Sequence, residues 1–140
     1  MRYVCDAPGG KTWFRLETEH EAEQESALMR HAVDKYFRRF EAAARESYRA
    51  PKGAASFEQA IGLKDHIARA MPMFLTLRAD DGEGLATAML PPQGRNQANF
   101  RTIVVGPNNQ DPYPAHEAAI DALADHFGVD LDRDLCFPYA

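Results

Sequence analysis

The chain has 140 residues, of which 45% are hydrophobic and 26% are charged, and its formal net charge at pH 7 is −5. This balance excludes a disordered or fibrous chain and is typical of one globular domain spanning residues 1–140. The negative charge argues against a general affinity for nucleic acid or membranes, and the most apolar window, "AMPMFLTL", is too short to span a bilayer.

The N-terminal region carries a hairpin pattern. Two short runs rich in aromatic and β-branched residues, 2–7 and 11–17, flank a Pro-Gly-Gly turn, and this arrangement predicts two antiparallel strands. The following Gly-Lys-Thr resembles the end of a phosphate-binding loop. Such a loop requires glycine at the position of Cys5 and a helix after Lys11, and neither condition is met. We therefore interpret Lys11 as a turn residue that binds no nucleotide.

Two helices are predicted next. The first spans residues 19–49, with Thr18 and Glu21 at the spacing of a capping box. The second runs from Ser56, as its N-cap, to Met71, which precedes a proline. Along the first helix the apolar residues recur with helical spacing, at Ala22, Met29, Val33, Tyr36, Phe40 and Ala44.

The second half of the chain alternates apolar runs with polar loops. Residues 73–79, 84–90 and 100–106 are predicted strands, and a further helix ends at Phe127 with Gly128 just beyond it. The last twelve residues give no clear pattern. The order ββααβββα predicts an α+β domain with a mainly antiparallel sheet, formed by the N-terminal hairpin plus a three-strand meander. Two or three helices are expected to pack on one face of this sheet.

Several segments resemble metal-binding motifs, and each lacks a residue that the motif requires. Segments beginning at His20 and His116 start like the H-E-x-x-H zinc motif but place glutamine or isoleucine where the second histidine belongs. Asp130, Asp132 and Asp134 imitate a calcium loop that lacks the glycine required at its sixth position. We expect no metal and no cofactor.

The two cysteines, Cys5 and Cys136, follow no secretion signal, so they indicate reduced thiols in a cytoplasmic protein. A disulfide joining the two ends of the chain is the alternative. Neither cysteine has neighbours that would favour a thiolate, and no G-x-S-x-G motif occurs. The histidines are spread over three predicted helices, where spatial clustering could still assemble a site. No catalytic residue is assigned, and a non-enzymatic role is favoured.

The segment 30–52 is basic, and its Lys and Arg side chains fall opposite the apolar stripe of the first helix. We interpret this as a solvated face, with a strip for an acidic partner or RNA as the alternative. An unbroken helix over 19–49 would be about 45 Å long, against a diameter of about 37 Å for a compact chain of this length. The overhang predicts a homodimer that buries part of this helix.

A ligand site, if present, is expected in the polar loops 91–99 and 106–117. The second loop is proline-stiffened and leads into a helix whose free N–H groups would attract an anion, with Asp111 or a neighbour as its cap. A plain connector is the alternative interpretation. The candidate ligand-binding residues are Arg95, Asn96, Arg101, Asn108, Asn109 and His116.

These patterns favour a small cytosolic protein that acts by association, either as a homodimer or as an accessory or regulatory subunit with a protein partner. The alternative is a small-molecule or anion binder, or an enzyme, with its site in the two polar loops. Neither a membrane nor a nucleic acid is an expected partner.

Overall fold

The computed structural model describes residues 1–95 and 97–140. Over these residues the elements are β1 (Arg2–Ala7), β2 (Lys11–Leu16), α1 (Glu19–Met29), α2 (Val33–Ser47), α3 (Ser56–Ala70), β3 (Met73–Arg78), β4 (Gly84–Leu90), β5 (Ile103–Val105) and α4 (Tyr113–Phe127). Short 3₁₀ turns lie at Pro92–Gly94, Pro107–Asn109 and Arg133–Leu135. The predicted α+β class is confirmed.

The five strands form one sheet in the order β1-β2-β3-β4-β5, and every neighbouring pair is antiparallel. The predicted hairpin joins β1 to β2, with Gly9 and Gly10 at positive φ in its turn. Although three helices separate β2 from β3 in sequence, these strands lie side by side, so the hairpin and the meander form a continuous sheet. Phe137, in the segment without a clear sequence pattern, forms an isolated parallel bridge with Ile103 of β5.

Helices cover both faces of the sheet, so the protein has three layers where helices on one face were expected. The core beside α4 contains Trp13, Leu75, Leu77, Leu90, Val104, Ile120 and Leu123. The core beside α1 and α2 contains Leu16, Ala22, Val33, Phe37, Phe74 and Met89. This arrangement explains the near-continuous apolar runs of β3 and β4, because strands buried on both faces do not alternate between apolar and polar residues.

The long helix predicted over 19–49 is interrupted. Arg30 adopts a left-handed conformation with φ of 56°, and its N–H donates to the Ser26 carbonyl, which ends α1. The Ser26 hydroxyl donates to Asp34 Oδ1 at 2.8 Å and accepts from the Asp34 N–H at 3.0 Å, which fixes the start of α2. The two helices are therefore about 16 and 22 Å long, and both pack on the sheet. The overhang that argued for a homodimer is absent from these residues, and the homodimer itself stays a prediction.

The ends of the helices can be compared with the capping residues predicted from the sequence. Thr18 caps α1 by accepting from the Glu21 N–H at 3.1 Å, and Gly128 ends α4 in the left-handed conformation, both as predicted. Ser56 is not a cap: it is the first residue of α3, and Ala55 occupies the capping position without a side-chain hydrogen bond.

Candidate functional site

Two threonines face each other across the centre of the sheet. Thr76 of β3 and Thr87 of β4 are cross-strand partners and are 0% and 3% exposed. In β3, Phe74 belongs to the core beside α1 and α2, whereas Leu75 belongs to the core beside α4. Because strand side chains alternate, Thr76 lies on the same face as Phe74. Both hydroxyls therefore lie under α1.

Glu25 of α1 reaches these threonines and is 0% exposed. Its Oε1 accepts from Arg78 Nη2 at 2.6 Å, and its Oε2 accepts from the Thr87 hydroxyl at 2.6 Å. Arg78 Nε also donates to the Thr76 hydroxyl oxygen at 3.0 Å. The buried carboxylate thus has a charged partner and a neutral donor, which is the condition under which a charge is tolerated in a protein interior.

His31 extends the network from the corner between α1 and α2. Its Nε2 lies 2.8 Å from the Thr87 hydroxyl oxygen, and the Val33 N–H approaches its Nδ1 at 3.4 Å. Since the Thr87 hydroxyl donates to Glu25, it must accept from His31, which assigns the proton to Nε2. Burial lowers the pKa of His31 below its ordinary value, against the opposing effects of Glu25 and Asp34. We call Arg78, Thr76, Glu25, Thr87 and His31 the Glu25 network.

The Glu25 network ends at a cavity of about 210 Å³, which we call the His31 cavity. His31 and Thr87 supply polar atoms on one side, and Asn109 contributes a carboxamide from the turn before α4. The rest of the lining is mainly apolar: Ala32, Val33, Tyr36, Phe74, Ala88, Met89, Ile103, Val105 and Phe137. Apolar walls with a few convergent polar groups are typical of small-molecule sites.

A second cavity, of about 280 Å³, adjoins the first and is called the arginine cavity. The two share Tyr36, Met89, Ile103 and Phe137 in their linings. Arg39 lies over the Tyr36 ring at 5.6 Å from its centroid, and Arg101 lies over the Phe137 ring at 4.8 Å. Both arginines line the arginine cavity.

The polar groups at the His31 cavity serve one another as hydrogen-bond partners. The Thr87 hydroxyl donates to Glu25 and accepts from the Nε2–H of His31, so His31 is not placed to take the hydroxyl proton as a general base. His31 donates from Nε2 to Thr87, and its Nδ1 faces the backbone N–H of Val33. Every buried side-chain nitrogen and oxygen among the described residues has at least one hydrogen-bond partner.

The structure brings together two of the residues predicted for ligand binding. Asn109 lines the His31 cavity and Arg101 lines the neighbouring arginine cavity. Asn108 precedes Asn109 in the same 3₁₀ turn, where both adopt positive φ. The Asp111 carboxylate accepts from the Tyr113 N–H at 3.0 Å and from Arg133 Nε at 2.8 Å, so the start of α4 holds one of the chain's own anions.

The other candidates lie elsewhere. His116, in α4, contacts Lys11 of β2 through its Nδ1 at 2.9 Å, so the residue that we interpreted as part of a turn has a side-chain partner. Burial, followed by the Lys11 charge, lowers the pKa of His116. Arg95 is exposed and follows Gly94, which lies against Phe127. Asn96 lies outside the described residues. The ligand-binding role of the predicted set stays a prediction.

The cysteines are both unpaired thiols, with Cys136 buried and Cys5 half-buried. Burial raises the pKa of each thiol, which disfavours the reactive thiolate. The alternative of a disulfide between them is not observed.

Glu25, His31 and Thr87 were missed from the sequence. A signal for Glu25 was present, because it lies three residues after Ala22 and four before Met29, on the apolar stripe of α1, and all three are buried. Glutamates also occur at positions 19, 21 and 23, and because such charges are common at a helix start, Glu25 did not stand out among them. A threonine inside the apolar run of β4 was a second signal.

No family model, no curated protein and no solved structure matches this chain. Within residues 1–95 and 97–140, no group of three or more His, Cys, Asp or Glu side chains is placed to hold a metal ion. None of the described helices is both long enough and apolar enough to cross a membrane.

Proposed function

We propose that this protein binds a small, mainly apolar molecule in the His31 cavity. The observation that carries the proposal is the position of the Glu25 network, a largely buried set of mutually hydrogen-bonded polar groups that ends at an apolar cavity. Burying a carboxylate and a guanidinium costs free energy that well-packed apolar residues would avoid. A network that fixes His31 and Thr87 in a cavity wall offers a functional reason for that cost.

The size of the cavity limits the ligand. A cavity of about 150 Å³ accommodates benzene, so the His31 cavity, at about 210 Å³, suits a molecule of about eight non-hydrogen atoms. Its polar group would lie near Asn109, which is exposed and whose carboxamide makes no hydrogen bond within the described part of the chain. The polar loop 106–117 would thereby contribute to binding, as the sequence suggested.

A titration with 1-hexanol, followed by two-dimensional NMR of the amide groups, tests the proposal. We expect saturable shifts at residues that line the His31 cavity, including Val33 and Val105. Ala32→Phe places a ring at a half-buried position of the cavity lining, and it should abolish those shifts. Ala27→Phe, at an exposed position of α1, is the matched control and should bind normally. Shifts that do not saturate, or that survive in Ala32→Phe, would overturn the proposal.

Self-association is a second candidate function, supported by the exposed face of α3. No residue of α3 is buried, and Phe57 and Ile61, one turn apart, are 67% and 58% exposed. A second copy of the chain is the occupant that we propose for this face. Light scattering at tens of micromolar should give a dimer for the natural chain and a monomer for Phe57→Ser/Ile61→Ser. A monomeric natural chain would contradict this second proposal.

A further inference from the structure

We infer that the ligand is an amphipathic carboxylate, whose apolar body fills the His31 cavity and whose anionic group is bound by Arg39 and Arg101. This inference rests on the proposed function and adds the chemical class of the ligand. It starts from the adjacency of the two cavities, whose linings share Tyr36 and Phe137 as well as Met89 and Ile103. A single molecule could therefore extend from one cavity into the other.

The charged side chains that line the two cavities are all positive. Arg39 and Arg101 are the charged side chains among the described residues of the combined lining, which contains no carboxylate and in which His31 is a neutral imidazole. Neither arginine forms a salt bridge with a described residue. The neighbouring Arg38, by contrast, is paired with Asp34 at 2.9 Å. In a chain whose net charge is −5, two unpaired cations at one opening are a local exception that favours an anion.

The aromatic rings place the two guanidinium groups. Each guanidinium lies over a ring that belongs to both linings, Arg39 over Tyr36 and Arg101 over Phe137. A guanidinium stacked in this way is restrained while its N–H edge stays free, and that edge matches the two oxygens of a carboxylate. The ring that forms the apolar wall thus also positions the cation that would bind the ligand's charge.

The Glu25 network does not oppose an anion. The Glu25 carboxylate is paired with Arg78 at 2.6 Å and is separated from the His31 cavity by the Thr87 hydroxyl. His31 directs no lone pair into the cavity from Nε2, because that nitrogen donates to Thr87. An acidic molecule therefore meets no free imidazole lone pair at Nε2, and the adjoining cavity presents the guanidinium groups of Arg39 and Arg101.

Three probes with one chain length separate the charge requirement from the apolar one: hexanoate, 1-hexanol and hexylammonium. By NMR titration at low ionic strength, hexanoate should bind at least tenfold more tightly than 1-hexanol, and hexylammonium should bind more weakly than either. Sodium chloride at high concentration should remove most of the preference for hexanoate, because exposed ion pairs are screened. This salt test uses the natural chain and does not depend on any variant.

Arg39→Gln and Arg101→Gln identify the cations responsible. Each should weaken hexanoate binding severalfold and leave 1-hexanol binding unchanged, and both positions are exposed, so folding should be preserved. Arg69→Gln, which removes one positive charge from the exposed surface of α3, is the matched control and should leave both probes unaffected.

The outcomes distinguish the two proposals. If 1-hexanol binds in the His31 cavity and hexanoate binds no more tightly, the carboxylate inference is wrong and the proposed function stands. The same conclusion follows if Arg39→Gln, Arg101→Gln and Arg69→Gln have equal effects on hexanoate, since the arginines would then be solvated side chains resting on aromatic rings. If Ala32→Phe blocks neither probe, the proposed function fails and the inference fails with it.

Discussion

The hydroxyl of Thr87 donates a 2.6 Å hydrogen bond to the carboxylate of Glu25, a residue 62 positions earlier in the chain. This contact joins α1 to the centre of the sheet at a point where both partners are buried. It is also the link between the ion pair of Glu25 with Arg78 and the imidazole of His31. The stability of the fold and the polarity of the cavity wall therefore depend on the same bond.

Removing the buried carboxylate should be costly. Glu25→Ala leaves Arg78, 15% exposed, without its counter-ion and leaves Thr87 without its acceptor, so we expect the free energy of unfolding to fall by about 3–5 kcal/mol. Glu23→Ala, on the exposed side of α1 and 3.7 Å from Arg38, should cost less than about 1 kcal/mol. Urea unfolding measures both. A Glu25→Ala variant as stable as Glu23→Ala would contradict the network described above.

The Thr87 hydroxyl can be removed without changing the size of the side chain. Thr87→Val leaves an oxygen of Glu25 and the Nε2–H of His31 without partners, which should cost about 1–3 kcal/mol. Thr87→Ser keeps the hydroxyl and loses a methyl group, so it should cost about 1 kcal/mol. The comparison is made by thermal or urea unfolding. If serine is the more damaging replacement, packing rather than hydrogen bonding determines this position.

Acid should destabilise the protein through His31. Burial lowers the pKa of His31 below its ordinary value of 6.5, so below that pH the unfolded chain binds a proton that the folded chain does not. The free energy of unfolding should therefore be unaffected by this group above about pH 6.5 and fall below it, by at most ~1.4 kcal/mol per pH unit. His116 has a shift in the same direction and should add to the effect.

Two variants separate the contribution of His31 to the acid-induced loss of stability from the contributions of other titrating groups. His31→Gln can still donate to Thr87 and does not titrate, so its unfolding free energy should decline less steeply between pH 7 and pH 5. His20→Gln, at an exposed position, should follow the natural chain. Parallel pH profiles for His31→Gln and the natural chain would show that protonation of His31 does not oppose folding.

Gly62 in α3 has a packing role. A Cβ at this position would overlap the hydroxyl oxygen of Tyr48, so in the natural chain Gly62→Ala should lose at least part of the ~1 kcal/mol that alanine gains over glycine in a helix. In a Tyr48→Ala background the same substitution should stabilise by up to about 1 kcal/mol, because alanine is the better helix former. A double-mutant cycle in urea measures the difference. An equal stabilising effect in both backgrounds would mean that Tyr48 moves aside without cost.

Asn108 and Asn109 form a matched pair for testing the loop. Their φ angles are 57° and 59°, and glycine adopts this conformation freely, so replacement by glycine removes the carboxamide without straining the folded backbone. Asn109 lines the His31 cavity, and Asn109→Gly should weaken 1-hexanol binding about threefold, the value of one modest hydrogen bond. Asn108→Gly should leave the NMR-derived Kd unchanged. Equal effects would remove Asn109 from the proposed site.

Structural features that depend on residues close together in the chain could be predicted from the sequence. The strands expected at 73–79 and 84–90 are observed as Met73–Arg78 and Gly84–Leu90, because apolar runs bounded by turn residues have few alternatives to a buried strand. The predicted strand 100–106 is shorter, Ile103–Val105. Phe100 packs on Phe40 of α2 instead, a contact that no local pattern encodes.

By itself, the sequence determined the α+β class, the N-terminal hairpin and the helix ends at Thr18 and Gly128, since each depends on residues a few positions apart. Only the tertiary structure decided the corner at Arg30, where neither glycine nor proline interrupts the helical pattern. Packing α1 and α2 on one sheet face makes a bend there more favourable than a helix that extends beyond the core. That bend brings His31 to Thr87 and Glu25, and the site exists because groups distant in sequence are buried together, where their hydrogen bonds must be satisfied by one another.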